Sequence, residues 1–223
     1  MSFNEKEFSE IVETLIKFKS GITKIPIKDT SWEELIWATL AFLYGENKVD
    51  WDPQSHEKSV DIRAKINSDD IGISAKGGVI KSGILNISSY RLTTFNTLQN
   101  KLDFIREQHT LFHFYLICAR ELNTKQSAVE YTVIKVSSAK LAPLEILNVK
   151  SWKTVKSGYE LKKDVGFKAR IVHKMSDQLW YSIPLDYFTG TEKLVRISIP
   201  VKDLGKGLID FLKTHKSNLT DSS

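Results

Sequence analysis

The residues best suited to chemistry sit in one short stretch, SVDIRAKI (59–66) followed by IGISAK (71–76). Metal-dependent phosphodiester cleavage needs two or three oxygen ligands around Mg2+, and a cation near the attacking water or the scissile phosphate. Two neighbouring strands can deliver such groups to one end of a sheet. Asp61 stands on the first strand, on the face opposite a stripe of Val60, Ile62, Ala64 and Ile66. Side chains alternate with period two, so Ser74 and Lys76 share a face of the second strand. Ser74 occupies the place where this chemistry leads one to expect a further acid. Next comes IKSGILNISSYRLTTF, which brings Lys81, Asn86, Ser88, Ser89, Tyr90 and Arg91 close in sequence to Lys76. Serine hydroxyls together with helix N–H groups suit a phosphate, and Arg91 could reach a phosphate or a guanine edge.

The elements that must position these groups follow from hydrophobic spacing. Phe8, Ile11, Val12, Leu15 and Phe18 predict a helix over 4–19. A second helix is expected from Ser31 to about Tyr44, opened by the capping-box spacing of Ser31 and Glu34 and stopped at Gly45. It is apolar almost all round and therefore buried. KVDW (48–51) and the two chemistry-bearing segments read as strands, with a hairpin turn at 67–70 and sharp turns at Gly77, Gly78 and Gly83. Leu92, Phe95, Leu98, Leu102 and Ile105 predict a helix over 89–108, capped by Ser88 or Ser89. LFHFYLICAR (111–120) reads as a buried central strand, and AVEYTVIKVSS (128–138) as a further one. Residues 150–188 read as short strands and loops, 193–201 as a strand and 203–215 as a final helix. The order helix, antiparallel hairpin, helix, strand describes an α/β sandwich around a mixed sheet.

SVDIRAKI followed by IGISAKGG resembles the core of the PD-(D/E)XK nuclease superfamily, reading VD and SAK here. Val60 replaces the family's proline, and Ser74 replaces the acid of the last motif. Some branches accept serine or glutamine at that place and draw on a glutamate from a helix. SWEELIWATLAFLYG resembles the first helix of Mrr-like and Holliday-junction-resolvase-like members, in which an aromatic–Glu pair opens a helix that ends in glycine. Trp32 then takes the aromatic place and Glu33 the acid, while Glu34 is the cap partner of Ser31; the alternative register gives the metal to Glu34. The resemblance spans about residues 31–120. It implies a restriction-endonuclease-like core, a mixed sheet flanked by helices, with a β-rich C-terminal part that reads DNA. It further implies Mg2+ held by Asp61, Glu33 and the Ala75 carbonyl. Lys76 would orient or polarise the attacking water, and Ser74 would hydrogen-bond near the phosphate.

Charge points the same way. The chain carries +5, but the segment 150–174 holds eight basic residues against Glu160 and Asp164, which leaves the remainder near −1. A basic block on a near-neutral body fits a polyanion. Lys153, Lys156, Lys162, Lys168, Arg170 and Lys174 are its candidate DNA contacts, beside Lys81, Asn86, Ser89 and Arg91 nearer the core.

Other classes drop out. No dinucleotide fingerprint or GxxxxGK[ST] loop is present, so no nucleotide cofactor is expected. The single Cys118 excludes a disulfide framework or a Cys-rich metal site and reads as core. His109 and His113 have i, i+4 spacing but flank the start of a strand, which argues against a metal pair. His56, in the loop before Asp61, could touch phosphate. Trp32, Trp37, Trp152 and Trp180 read as core or interface. The apolar run around Leu35–Tyr44 is too short for a bilayer, and MSFNEKEFSE is acidic where a signal peptide is basic and then apolar. The expectation is a cytoplasmic, single-domain protein over 1–223. Residues 31–120 form its catalytic core, 121–200 its recognition region, and 201–223 a C-terminal helix and tail. Its expected activity is that of a type II restriction endonuclease, a two-fold dimer cutting double-stranded DNA. A structure-specific repair or junction nuclease and a non-catalytic DNA-binding protein with a degenerate core are the alternatives.

Overall fold

The computed structural model describes residues 3–28, 30–52 and 60–220. His56 lies outside the described residues. Helix α1 (Glu5–Ile22) is capped by Asn4, whose side chain accepts from the Glu7 N–H, and buries Phe8, Val12, Ile16 and Ser20 at four-residue steps. Helix α2 spans Thr30–Tyr44 and stops at Gly45, which has φ +99°. Ser31 is thus inside the helix: its N–H donates to the Lys28 carbonyl, and Glu34 pairs with Lys19 at 3.0 Å. The expected capping box gives way to this tie between α1 and α2.

Strands β1 (Val49–Trp51), β2 (Ile62–Ile66), β3 (Asp69–Lys81) and β4 (Ile84–Arg91) precede α3 (Leu98–His109). Then follow β5 (Phe114–Asn123), β6 (Ala128–Ser137), the single turn α4 (Ser138–Leu141), β7 (Trp152–Val155), β8 (Gly158–Leu161), β9 (Lys168–Val172), β10 (Gln178–Pro184), β11 (Lys193–Pro200) and α5 (Lys206–Thr220). All eleven strands join one mixed sheet in the order β11-β6-β5-β3-β4-β10-β9-β8-β7, with β2 and then β1 branching from β3. Among the described residues no helix is long and apolar enough to cross a membrane.

The organising strand is β3. Its first half pairs antiparallel with β2 and its last four residues with β4, while its other edge runs parallel to β5 from Ile73 to Val79. Between Ile73 and Gly78, β2 and β4 separate and leave that edge of β3 open among the described residues. Side-chain alternation divides the core in two. Ile71, Ile73 and Ala75 join α1 and α2 on one face, with Leu116, Cys118 and Val133. Ile80 joins α3 on the other, with Leu85, Ile87, Ile117, Leu179, Tyr181 and Ile183.

Two expectations are corrected here. Gly77 and Gly78 lie within β3 and make no turn; the turns are Asn67–Ser68 and Ser82–Gly83, all four with positive φ. A Cβ on Gly78 would come within 2.7 Å of Leu85 Cδ1 and 2.9 Å of Ile87 Cγ2, so the glycine lets β4 cross closely. The helix expected over 89–108 begins only at Leu98, with Thr97 as its cap, because residues 84–91 form a strand between β3 and β10. Ser88 and Ser89 therefore cap no helix and face no helix N–H groups.

Candidate active site

Asp61 sits where the chain bends into β2. Its neighbours part company: Val60 packs in the α3-side core and Ile62 in the α2-side core, so the expected single stripe begins at Ile62. The bend brings the Asp61 N–H to the Ile73 carbonyl at 3.0 Å, at the point where β2 leaves β3. There Asp61 Oδ2 accepts two hydrogen bonds, from Lys76 Nζ at 2.9 Å and from Ser74 Oγ at 3.1 Å. Its Oδ1 takes none among the described residues. Ser74 is buried, whereas the Lys76 and Asp61 side chains are 21% and 18% exposed, enough for a small ligand to reach them. Three residues separated by up to fifteen positions thus meet through a strand bend and a period-two alternation.

The main chain adds a fourth oxygen. Ile73 presents its carbonyl to the β2 edge, and peptide direction alternates along a strand, so the Ala75 carbonyl points into the gap between β2 and β4. Glu33 is placed less directly. It lies in the first turn of α2, half-buried, and its Oε2 accepts from Trp51 Nε1 at 3.3 Å. Trp51 stands opposite Ile62 in the β1–β2 pairing, one residue from Asp61. Glu34 is exposed and turned toward Lys19. Of the two glutamates, Glu33 is the one tied to the strands that carry the site.

The donor set fits a hard cation. Asp61 and the Ala75 carbonyl are oxygen donors of the kind Mg2+ takes, an ion that keeps several waters and needs only one or two carboxylates; Glu33 is linked to them only by way of Trp51 and Ile62. Among the described residues no three His, Cys, Asp or Glu side chains cluster as a metal-holding group. Ser74 contributes a hydroxyl that donates to Asp61 Oδ2.

No family model, curated protein or solved structure matches the chain.

The candidate DNA contacts scatter in part. Lys153, Lys168 and Arg170 lie in strands β7 and β9, while Lys156 is in the β7–β8 turn, Lys174 is in a short turn after β9, and Lys162 donates to the Lys150 carbonyl at 2.8 Å. Lys81 and Arg91 end β3 and β4, and Asn86 and Ser89 lie within β4. Cys118 is buried in the core, where burial pushes its thiol pKa up. His113 Nδ1 accepts from the Gly72 N–H at 3.1 Å.

Sequence reasoning missed a buried polar cluster beneath the site. Tyr115 is the β5 residue beside Ser74. Its hydroxyl lies 3.2 Å from His109 Nε2 and 3.4 Å from the Tyr90 hydroxyl, and His109 Nδ1 lies 3.0 Å from the Ile105 carbonyl. A carbonyl only accepts, so Nδ1 carries the proton and Nε2 accepts from Tyr115. Burial lowers His109 to about 4, against the pull of the Ile105 carbonyl, and burial raises Tyr115 to about 12, with the Asp61 charge adding to the rise. The residues were visible as types, but nothing in their spacing joins 90, 109 and 115. Trp51 was missed for the same reason.

Proposed function

We propose that this chain is a Mg2+-dependent DNA endonuclease of the PD-(D/E)XK type, acting as a sequence-specific type II restriction enzyme. The observation that carries the reading is the meeting of Asp61, Ser74 and Lys76 at the open edge of β3. The run α2, β1 to β4, α3 and a β5 parallel to β3 supports a restriction-endonuclease-like core, and the β-rich remainder supports a separate DNA-reading part. Asp61, Glu33 and the Ala75 carbonyl would hold Mg2+, which when bound supplies an activated water and offsets phosphate charge. Lys76 donates from Nζ toward the water or a phosphate oxygen and stabilises the charge that grows there. Ser74 fixes the Asp61 carboxylate by holding Oδ2. The basic segment 150–174 grips the backbone and supplies part of the base readout. A chain of this size reading a palindrome would do so as a two-fold dimer in the cytoplasm.

Ser74 favours one further reading, a DNA-binding protein that does not cut, since it removes a carboxylate from the strand pair. Digestion of plasmid DNA with Mg2+ decides. Discrete bands, with sequenced ends sharing a motif, support the restriction reading. Cutting without a motif assigns the chain to structure-specific nucleases. Intact plasmid, with DNA binding retained, leaves the non-catalytic reading.

A further inference from the structure

Strands β4, β10, β9, β8 and β7 form a wing whose two faces differ. Leu85, Ile87, Tyr181, Ile183, Ala169, Ile171 and Trp152 fill the α3-side core. The alternate residues line up across the strands on the other face. One row runs Lys153, Glu160, Arg170, Trp180, Ser88, each the register partner of the next; a second runs Lys168, Ser182, Asn86. Every one of them is exposed or half-buried. Among the described residues, none of the large exposed hydrophobics lies on this face.

Two features say what would lie on it. The cations Lys153, Arg170 and Lys168 outnumber the single acid, Glu160, which stands 3.6 Å from Lys153 and 3.8 Å from Arg170. Asn86 stands opposite Val79 of β3, so the face adjoins that strand on the side away from Ser74, Lys76 and Ile80. Apart from the half-buried Trp180, the two rows hold no apolar or aromatic side chain, whereas a protein interface has an apolar core. A polyanion fits both features.

We propose that this uncovered face receives duplex DNA, and that Glu160 is a specificity-determining residue. The proposal rests on the reading of the chain as a DNA-acting protein. Lys153 and Lys168 meet phosphates. Arg170, whose planar fork suits a guanine edge, is held in place by Glu160. The same carboxylate repels a phosphate backbone that approaches without matching bases, which lowers affinity for random sequence.

The test measures binding of the full chain to a random-sequence duplex in Ca2+, across a salt titration. The triple variant Lys153→Ala, Lys168→Ala, Arg170→Ala is compared with Lys6→Ala, Lys65→Ala, Lys125→Ala, which makes the same charge change at exposed sites elsewhere. The face variant should lose at least about tenfold in affinity and flatten the log–log salt slope by roughly two, about 0.9 for each phosphate contact removed. The control should stay within about twofold of wild type. Glu160→Gln should bind random DNA more tightly. If the two triples behave alike, or Glu160→Gln binds no tighter, the surface assignment is overturned while DNA binding itself stands. If the wild-type protein binds no duplex at all, the DNA reading falls and this surface with it. Matching melting temperatures for all variants establish that folding is not the cause.

Discussion

Asp61 draws its importance from a single oxygen, Oδ2, on which both Lys76 and Ser74 converge. Asp61→Ala and Lys76→Ala should abolish cleavage and leave the fold intact, because both side chains touch solvent and water can replace the lost partner. A variant that keeps more than roughly a tenth of the wild-type rate has lost under about 1.4 kcal/mol, too little for a group at the reacting centre. Glu33→Gln should reduce cleavage far more than Glu34→Gln, since Glu33 is tied to Trp51 beside the site and the exposed Glu34 is turned toward Lys19. Equal losses, or the reverse order, would remove Glu33 from the site. Asp61, Ser74 and Lys76 were legible because period-two alternation and a hairpin suffice to bring them together. The Glu33 contact was legible only through family resemblance, since it passes through an indole on a three-residue strand. The cluster of Tyr90, His109 and Tyr115 was not legible, because it depends on a crossover that sequence spacing does not encode.

Strand β3 is the element on which the site depends, and Gly72 is where main-chain atoms crowd it most. A Cβ there would meet the Leu111 carbonyl at 2.8 Å and Phe112 Cα at 3.1 Å. Those are main-chain atoms, held in turn by the His113 N–H to Gly72 carbonyl bond of 2.9 Å, so neither side can yield by a rotamer change. Gly72→Ala should therefore destabilise by about 1–3 kcal/mol, the range for overpacking. Gly190→Ala meets open space and should stay within about 0.5 kcal/mol of wild type. Urea midpoints of the two variants check this, and a neutral Gly72→Ala would mean that β3 is less constrained than its contacts imply. At this scale the sequence was readable where periodicity acts alone, as in α1, β5, β6 and β11. It misled where tertiary pairing decided the outcome. Leu92 and Phe95 are spaced like helix residues, but Leu92 is buried from a loop and Phe95 packs against the same core. The residues before them pair with β3 and β10, and those partners cannot be seen locally.

On the scale of the whole molecule, two cores share one sheet, and the one on the α3 side contains a titratable group with no acid hydrogen-bonded to it among the described residues. His109 on α3 is enclosed by Tyr90 of β4, Tyr115 of β5, Phe112 and the Ile105 carbonyl. All are neutral, and burial holds the imidazole at about 4 against an ordinary value of 6.5. Between those two values the unfolded chain binds a proton that the folded chain refuses, so stability is lost as pH falls from about 6.5 toward 4. The limiting slope for one such group is about 1.4 kcal/mol per pH unit, which makes the whole effect on the order of 3 kcal/mol. The carboxylates act lower. Asp177, desolvated but overcompensated by Lys101 and His173, has a lowered pKa, as do Glu130 beside Asn123 and Arg196, and Glu192 beside Lys140; their contributions fade only below their ordinary values of 3.8 and 4.5. His109→Gln removes the titration and keeps an amide that can meet the same partners. Its unfolding free energy, measured in urea at pH 7, 6 and 5, should fall less steeply than that of the wild-type protein, and the gap between the two should narrow with each step down. Parallel curves for the two proteins across that range would show that the imidazole takes its proton in the folded state as readily as in the unfolded one, and that the cluster beneath Ser74 is open to water.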